Sequence, residues 1–286
     1  MEPNKVCPNC GRQNVAEAQW CAGCGNNIAS VPVSQGQGWQ SDAYSQTQGP
    51  NAAYTATDLI RQRIVSSIQM RNGADEVIPV WWVLMPIIGI AALVFLIVFL
   101  GYIGLGIGFV LFGALFAVFV YKLINRQNEH IKREVVLRNA LIALMREKAR
   151  EQYKEQQVSG QIATMESINQ EASYKEQEYN VVMFTVMAFI PLINYYALYV
   201  LTKHPYEHDQ RWHAFTQQVQ IAGSHLGMSI ATPSWKVVPQ RSFIVYFIIS
   251  ILFTPFMLYW MYVLINDPNE HYHAQWQFED QIMGMI

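Results

Sequence analysis

From Val77 to Tyr121 the chain carries no charged residue, and two further uncharged runs follow, Val181 to Thr202 and Ser242 to Asn266. A helix that is apolar on every side must be covered by protein or by lipid, so runs of this length leave few folded fates. The first run is long enough for two helices of about 20 residues each. They would join through Gly101-Tyr102-Ile103-Gly104-Leu105-Gly106-Ile107-Gly108, and Gly104, Gly108 and the later Gly113 permit close helix approach. Each later run matches one crossing. The expected fold is an all-α integral membrane protein with four apolar segments, paired transmembrane helices over 77–124, a third segment over 181–202 and a fourth over 242–266.

Those runs share a surface pattern at their C-terminal ends. Leu123-Ile124-Asn125-Arg126-Gln127-Asn128-Glu129-His130, Leu201-Thr202-Lys203-His204-Pro205-Tyr206-Glu207-His208 and Leu264-Ile265-Asn266-Asp267-Pro268-Asn269-Glu270-His271 superimpose without gaps, and the first and third share six of eight positions. This is an internal repeat. In the third copy Asp267, Pro268 and Glu270 have the spacing of a helix cap, a first-turn proline and a reciprocal capping box. Helix initiation plus interfacial contact is therefore the expected role of Asn128, Glu129, His130, Glu207, His208, Asn269, Glu270 and His271. Capping does not require the histidine, and a carboxylate beside an imidazole leaves ligand or proton chemistry as the competing role.

The repeat also poses a topological question. Four crossings would put the middle copy on the opposite side from the other two, whereas related interfacial motifs more naturally share one surface. Pro191 and Pro255 lie near the middle of the last two runs. Each would either kink a spanning helix or mark the apex of a re-entrant hairpin. Length favours spanning helices; repetition favours two spans plus two hairpins.

Charge sets the orientation. Nine basic residues lie between Lys122 and Lys154, within a net charge of -2. By the positive-inside rule the 125–180 segment and the N-terminus face the cytoplasm of a multi-pass cell-membrane protein. Before the first run, 57–72 reads as an amphipathic helix capped near Thr57 or Asp58. It would lie in the membrane plane or pack on the cytoplasmic helices. Apolar periodicity marks cytoplasmic amphipathic helices over 125–180, broken near Ser159-Gly160, and few internal partners for them predict a homo-oligomer. Interfacial or loop helices over 203–241 and a C-terminal amphipathic helix over 267–286 complete that part.

At the N-terminus, Cys7-Pro8-Asn9-Cys10 and Cys21-Ala22-Gly23-Cys24 use all four cysteines of the chain. Two such pairs can enclose one metal ion tetrahedrally and leave no open position, so structural Zn2+ is expected, with iron as the rival. The segment resembles the N-terminal zinc ribbons of many bacterial and archaeal membrane and regulatory proteins. That resemblance covers residues 5–28 and implies Cys7, Cys10, Cys21 and Cys24 as the ligands of a ribbon over 1–28. Lys5 and Arg12 are the only bases before Arg61, too few for a phosphate footprint, so nucleic acid is not the expected partner. The weakly charged 29–56 stretch reads as a disordered linker.

Residues 247–271 also resemble an uncharacterised family of small prokaryotic membrane domains, which implies no chemistry. The chain has no phosphate loop, nucleophile elbow or HExxH motif. A non-enzymatic protein is expected, one that organises membrane assemblies or recruits cytoplasmic protein partners, in contact with lipids. The alternative is an oligomeric channel or small-solute transporter.

Overall fold

A computed structural model describes residues 4–6, 13–16, 18–20, 29, 55–190, 192–231 and 237–286. The chain forms two units, 1–53 and 54–286. In the first, β1 (Asn4–Val6) and β2 (Gln13–Val15) pair antiparallel, with Lys5 opposite Asn14. The buried Lys5 ammonium donates to the Ala18 and Ala29 carbonyls, 3.3 Å each. Cys7, Cys10, Cys21 and Cys24, the ligands implied by the ribbon resemblance, lie outside the described residues, as does nearly all of the 29–56 linker.

The second unit is all-α among its described residues: α1 (Ala56–Gln69), α2 (Arg71–Ala74), a 3-10 turn (Val80–Leu84), α3 (Met85–Glu151), α4 (Glu155–Lys175), α5 (Val181–Ala188), α6 (Asn194–His225), α7 (Phe243–Leu252) and α8 (Phe256–Met285). One continuous helical stretch, Val80–Glu151, is long and apolar enough to cross a membrane. It is not straight. Gly101 takes φ 56° and ψ −131°, which a side chain would strain, and α3 reverses there. Its two limbs return so closely that a Cβ on Gly104 would lie 1.8 Å from the Leu96 carbonyl oxygen, and one on Gly108 2.9 Å from Leu93 Cα.

The other two apolar runs reverse as well. Asn180 caps α5 by accepting from the Met183 amide, and Ser242 caps α7 through Val245. These leading helices have only 8 and 10 residues before turn or bend residues at 189–190 and 192–193 and a break at 253–255. At 1.5 Å per residue they reach about 12 and 15 Å, well short of the ~30 Å of bilayer hydrocarbon. The later runs are thus hairpins rather than single straight helices.

In all three hairpins the outgoing limb continues without a break through the repeated motif. The capping account of that motif is therefore incorrect. Pro268 lies inside α8 and Pro205 inside α6, and Asp267 pairs with Arg241 at 2.6 Å. Pro268 cannot donate to Leu264, four residues back, and Arg126 Nη2 supplies that carbonyl with its hydrogen bond at 3.1 Å.

Two apolar clusters frame the unit. Nearer the apices, Phe119, Val120, Leu123, Phe184, Leu198, Trp260 and Leu264 close one. Further along, Leu141, Met145, Met165, Trp212, Phe215 and Phe278 close the other, with Ile64 and Ile68 of α1. So α1 packs on its neighbours, its cap is Thr55 in a capping box with Asp58, and the helix break after α3 falls at 152–154, with Gly160 inside α4. Of the apolar line expected along the 125–180 helices, Ile131, Ile142, Met145, Ala149, Ile162, Met165 and Ala172 are buried within the chain, while Tyr153 is exposed.

Candidate metal centre

Between the two clusters lies a slab of buried charge, placed there by the repeat. Consecutive helical residues project about 100° apart, so the Glu and His of each motif cannot face the same way. Glu129, Glu207 and Glu270 turn outward, to Lys132 at 2.9 Å, Lys203 at 3.3 Å and Asn266 at 2.9 Å. His130, His208 and His271 turn inward and are buried. Their ring centroids form a triangle with sides of 5.0, 4.9 and 5.5 Å.

Every ring has its Nδ1 on a carboxylate. His130 meets Asp75 at 2.8 Å, His208 meets Glu176 at 3.0 Å and His271 meets Asp209 at 2.7 Å. That leaves the Nε2 atoms for the centre, where those of His130 and His208 are 3.0 Å apart. Glu134, one turn beyond His130, brings Oε2 to 3.3 and 3.0 Å from them. One ligand atom each from His130, Glu134, His208 and His271 fits within 4.8 Å. Three imidazoles and a carboxylate, each imidazole oriented by a second carboxylate, are a donor set and outer support that could hold a transition-metal ion.

Arginines hold two of the three supporting carboxylates, Asp75 and Glu176. Arg133 donates to Asp75 at 2.6 and 3.0 Å and to Glu279 at 2.6 Å. Arg211 reaches Glu176 at 2.7 Å, and Arg138 bridges Glu134 and Glu176. Burial alone would lower the His208 imidazole, but Glu134 and Glu176 push it up to about 10. Burial would raise Glu134, yet Arg138 and His208 hold it well below the usual carboxylate range. In the metal-free chain a proton on His208 thus occupies the place of a cation. His204, buried beside it, is pushed down to about 3 by burial and by His208.

The motif asparagines act differently. Asn128 brackets the Tyr179 backbone, donating to its carbonyl at 2.7 Å and accepting from its amide at 3.0 Å. Asn269 does the same for Ile78, at 2.9 and 3.2 Å. In the middle copy Tyr206 stands at that position, and Asp209 accepts from the Val238 amide at 3.0 Å instead. Each copy therefore clamps the segment leading into the next hairpin, the third closing on the first.

The sequence reading singled out the histidines but not Asp75, Glu134, Glu176 or Asp209. One signal was present: Arg133 and Arg211 each follow a motif histidine by three residues, which extends the first two copies to Glu-His-x-x-Arg. No protein-family model, curated protein or solved structure matches the chain.

Proposed function

We propose that this chain is a membrane-inserted assembly protein built around a metal ion. Its three hairpins enter the bilayer from one face. A divalent transition metal of the zinc class, held by His130, His208, His271 and Glu134, ties the outgoing helices together below that face. The observation that carries this reading is the meeting of one histidine from each repeat in a single buried group with a carboxylate. Imidazole and carboxylate donors favour zinc, iron or nickel over the hard, all-oxygen ions.

The placement of the apolar surface supports insertion from one side. The apices expose Ile103, Leu192 and Leu252 at 72, 78 and 81%, whereas the ends bearing the motif bury charge. The basic stretch 122–154 favours the cytoplasm as the side on which the histidines sit. There the N-terminal cysteines would hold structural zinc, and the ribbon on its linker would recruit a protein partner.

Metal analysis of the purified full-length protein tests the centre. Two ions per chain are expected, one of them in the ribbon. His130→Ala and His208→Ala should each lose one, Cys7→Ser the other. Unchanged metal content in both histidine variants would remove the centre from the proposal. Cysteine reporters at Glu129, Glu207 and Glu270 in sealed cells should label from one side together; external labelling of position 207 alone would overturn one-sided insertion. Solute flux through reconstituted vesicles would replace assembly by transport.

A further inference from the structure

The layers along the axis of the three outgoing helices follow helix geometry. Glu134 lies one turn beyond the histidine ring. One turn before it lie Gln127, His204 and Pro268, and a further turn back Leu123, Leu201 and Leu264. A cavity of about 30 Å³ opens among these earlier residues, lined also by all three histidines but not by Glu134. The carboxylate therefore approaches the ring from one side and the cavity from the other.

That cavity has room for about one water molecule. Its wall is not inert. Gln127 Nε2 and His204 Nε2 are both buried, both belong to residues lining the cavity, and neither has a hydrogen-bond partner. A buried polar atom left unmet costs about 1–3 kcal/mol whether it donates or accepts, so the Gln127 donor and the His204 ring nitrogen at the mouth of a ligand set point to a polar occupant. With four protein donors on the ion, the position facing the cavity would be a fifth, which a closed tetrahedral zinc lacks and which iron- or nickel-type ions of higher coordination number accept.

We infer that the metal keeps an exchangeable position facing this cavity, taken by a water molecule or a small anion that Gln127 and His204 hold on its outer side. This rests on the metal reading above. The leucine layer separates the position from the apices, so the occupant is small and polar.

The test uses the full chain with Cys7, Cys10, Cys21 and Cys24 changed to Ser, loaded with Co2+. One Co2+ per chain is expected; none bound would end both the metal reading and this inference. With Co2+ bound, the electron paramagnetic resonance lines should broaden in 17O-enriched water. Azide should shift the visible bands, and Gln127→Leu should keep the Co2+ while weakening azide about ten-fold. Stoichiometric Co2+ with no 17O broadening would overturn the open position and leave the metal centre standing.

Discussion

The same three helices meet opposite surroundings on the two sides of the histidine ring. Toward the apices they expose large apolar or aromatic side chains, Ile103 at 72%, Tyr196 at 49% and Tyr259 at 46%; beyond the ring they bury Glu134, Arg138 and Glu279 at 0%. A helix in water does the reverse. The difference supports the proposed lipid-facing role of the first half, and it teaches that the second half is organised by pairing rather than by apolarity alone. Charges removed from solvent in this way are tolerated only when every partner is present.

Breaking that pairing should have the largest effect. Arg138 lies between Glu134 and Glu176, all three fully or nearly fully buried. Arg138→Ala strands two carboxylates and should cost about 3–5 kcal/mol, read as loss of stability in mixed-micelle unfolding. On the apical side the sharpest break is steric. A Cβ on Gly104 would meet the Leu96 carbonyl, while one on Gly106 would meet nothing within 4 Å. Gly104→Ala should destabilise by about 3 kcal/mol and Gly106→Ala should change little. Equal effects would show that the limbs do not return against each other.

Much of this division was legible in the chain, and the part that was not has physical reasons. The uncharged runs, the three motif copies and the apex residues near 101 and 255 are local patterns. The pairing layer is not local: Asp75 reaches His130 across 55 positions, and Asp209 reaches His271 across 62. Glu134 and Arg138 are four apart on α3, where they read as an exposed ion pair until other helices cover them. The capping signature of the third copy misled because a proline inside a helix is tolerated when another side chain satisfies the freed carbonyl, as Arg126 does here. Glu and His look equivalent as neighbours in sequence, and only the direction of the core separates them.

Acid should sharpen the comparison further, with a smaller effect. Burial would raise the Glu176 carboxyl, but His208 and Arg138 hold it below its ordinary value of 4.5. A carboxylate lowered by folding contributes stability that is present above the unfolded pKa and is lost as pH falls through the folded one. Metal-free protein, kept in chelator, should thus be most stable near pH 6.5, lose about 2 kcal/mol from Glu176 as pH falls below 4.5, and lose the contribution of the raised His208 imidazole as pH climbs above 6.5. Glu176→Gln should flatten the acid limb while lowering the maximum. An acid limb unchanged in the variant would place the titration elsewhere in the pairing layer.

The smallest effects test the three copies against each other at the clamp. Asn128 and Asn269 each make two hydrogen bonds to one residue of the following lead-in segment, and both are buried. Truncation to alanine leaves a backbone amide and carbonyl without partners, which costs about 1–3 kcal/mol. The Ile78 site should suffer more than the Tyr179 site, because Ile78 is 1% exposed and water cannot replace the lost bonds, whereas Tyr179 is part-exposed. Tyr206 occupies the same place in the middle copy without that clamp, since Asp209 takes the Val238 amide. Tyr206→Ala should therefore cost less than either asparagine, and Asp209→Asn should keep a clamp-like contact while weakening the support of His271. Stability ordered as Asn269→Ala, then Asn128→Ala, then Tyr206→Ala would establish that the ring of hairpins is closed by two backbone clamps and one carboxylate; an equal loss at all three would mean that the motif acts through its helix and not through these contacts.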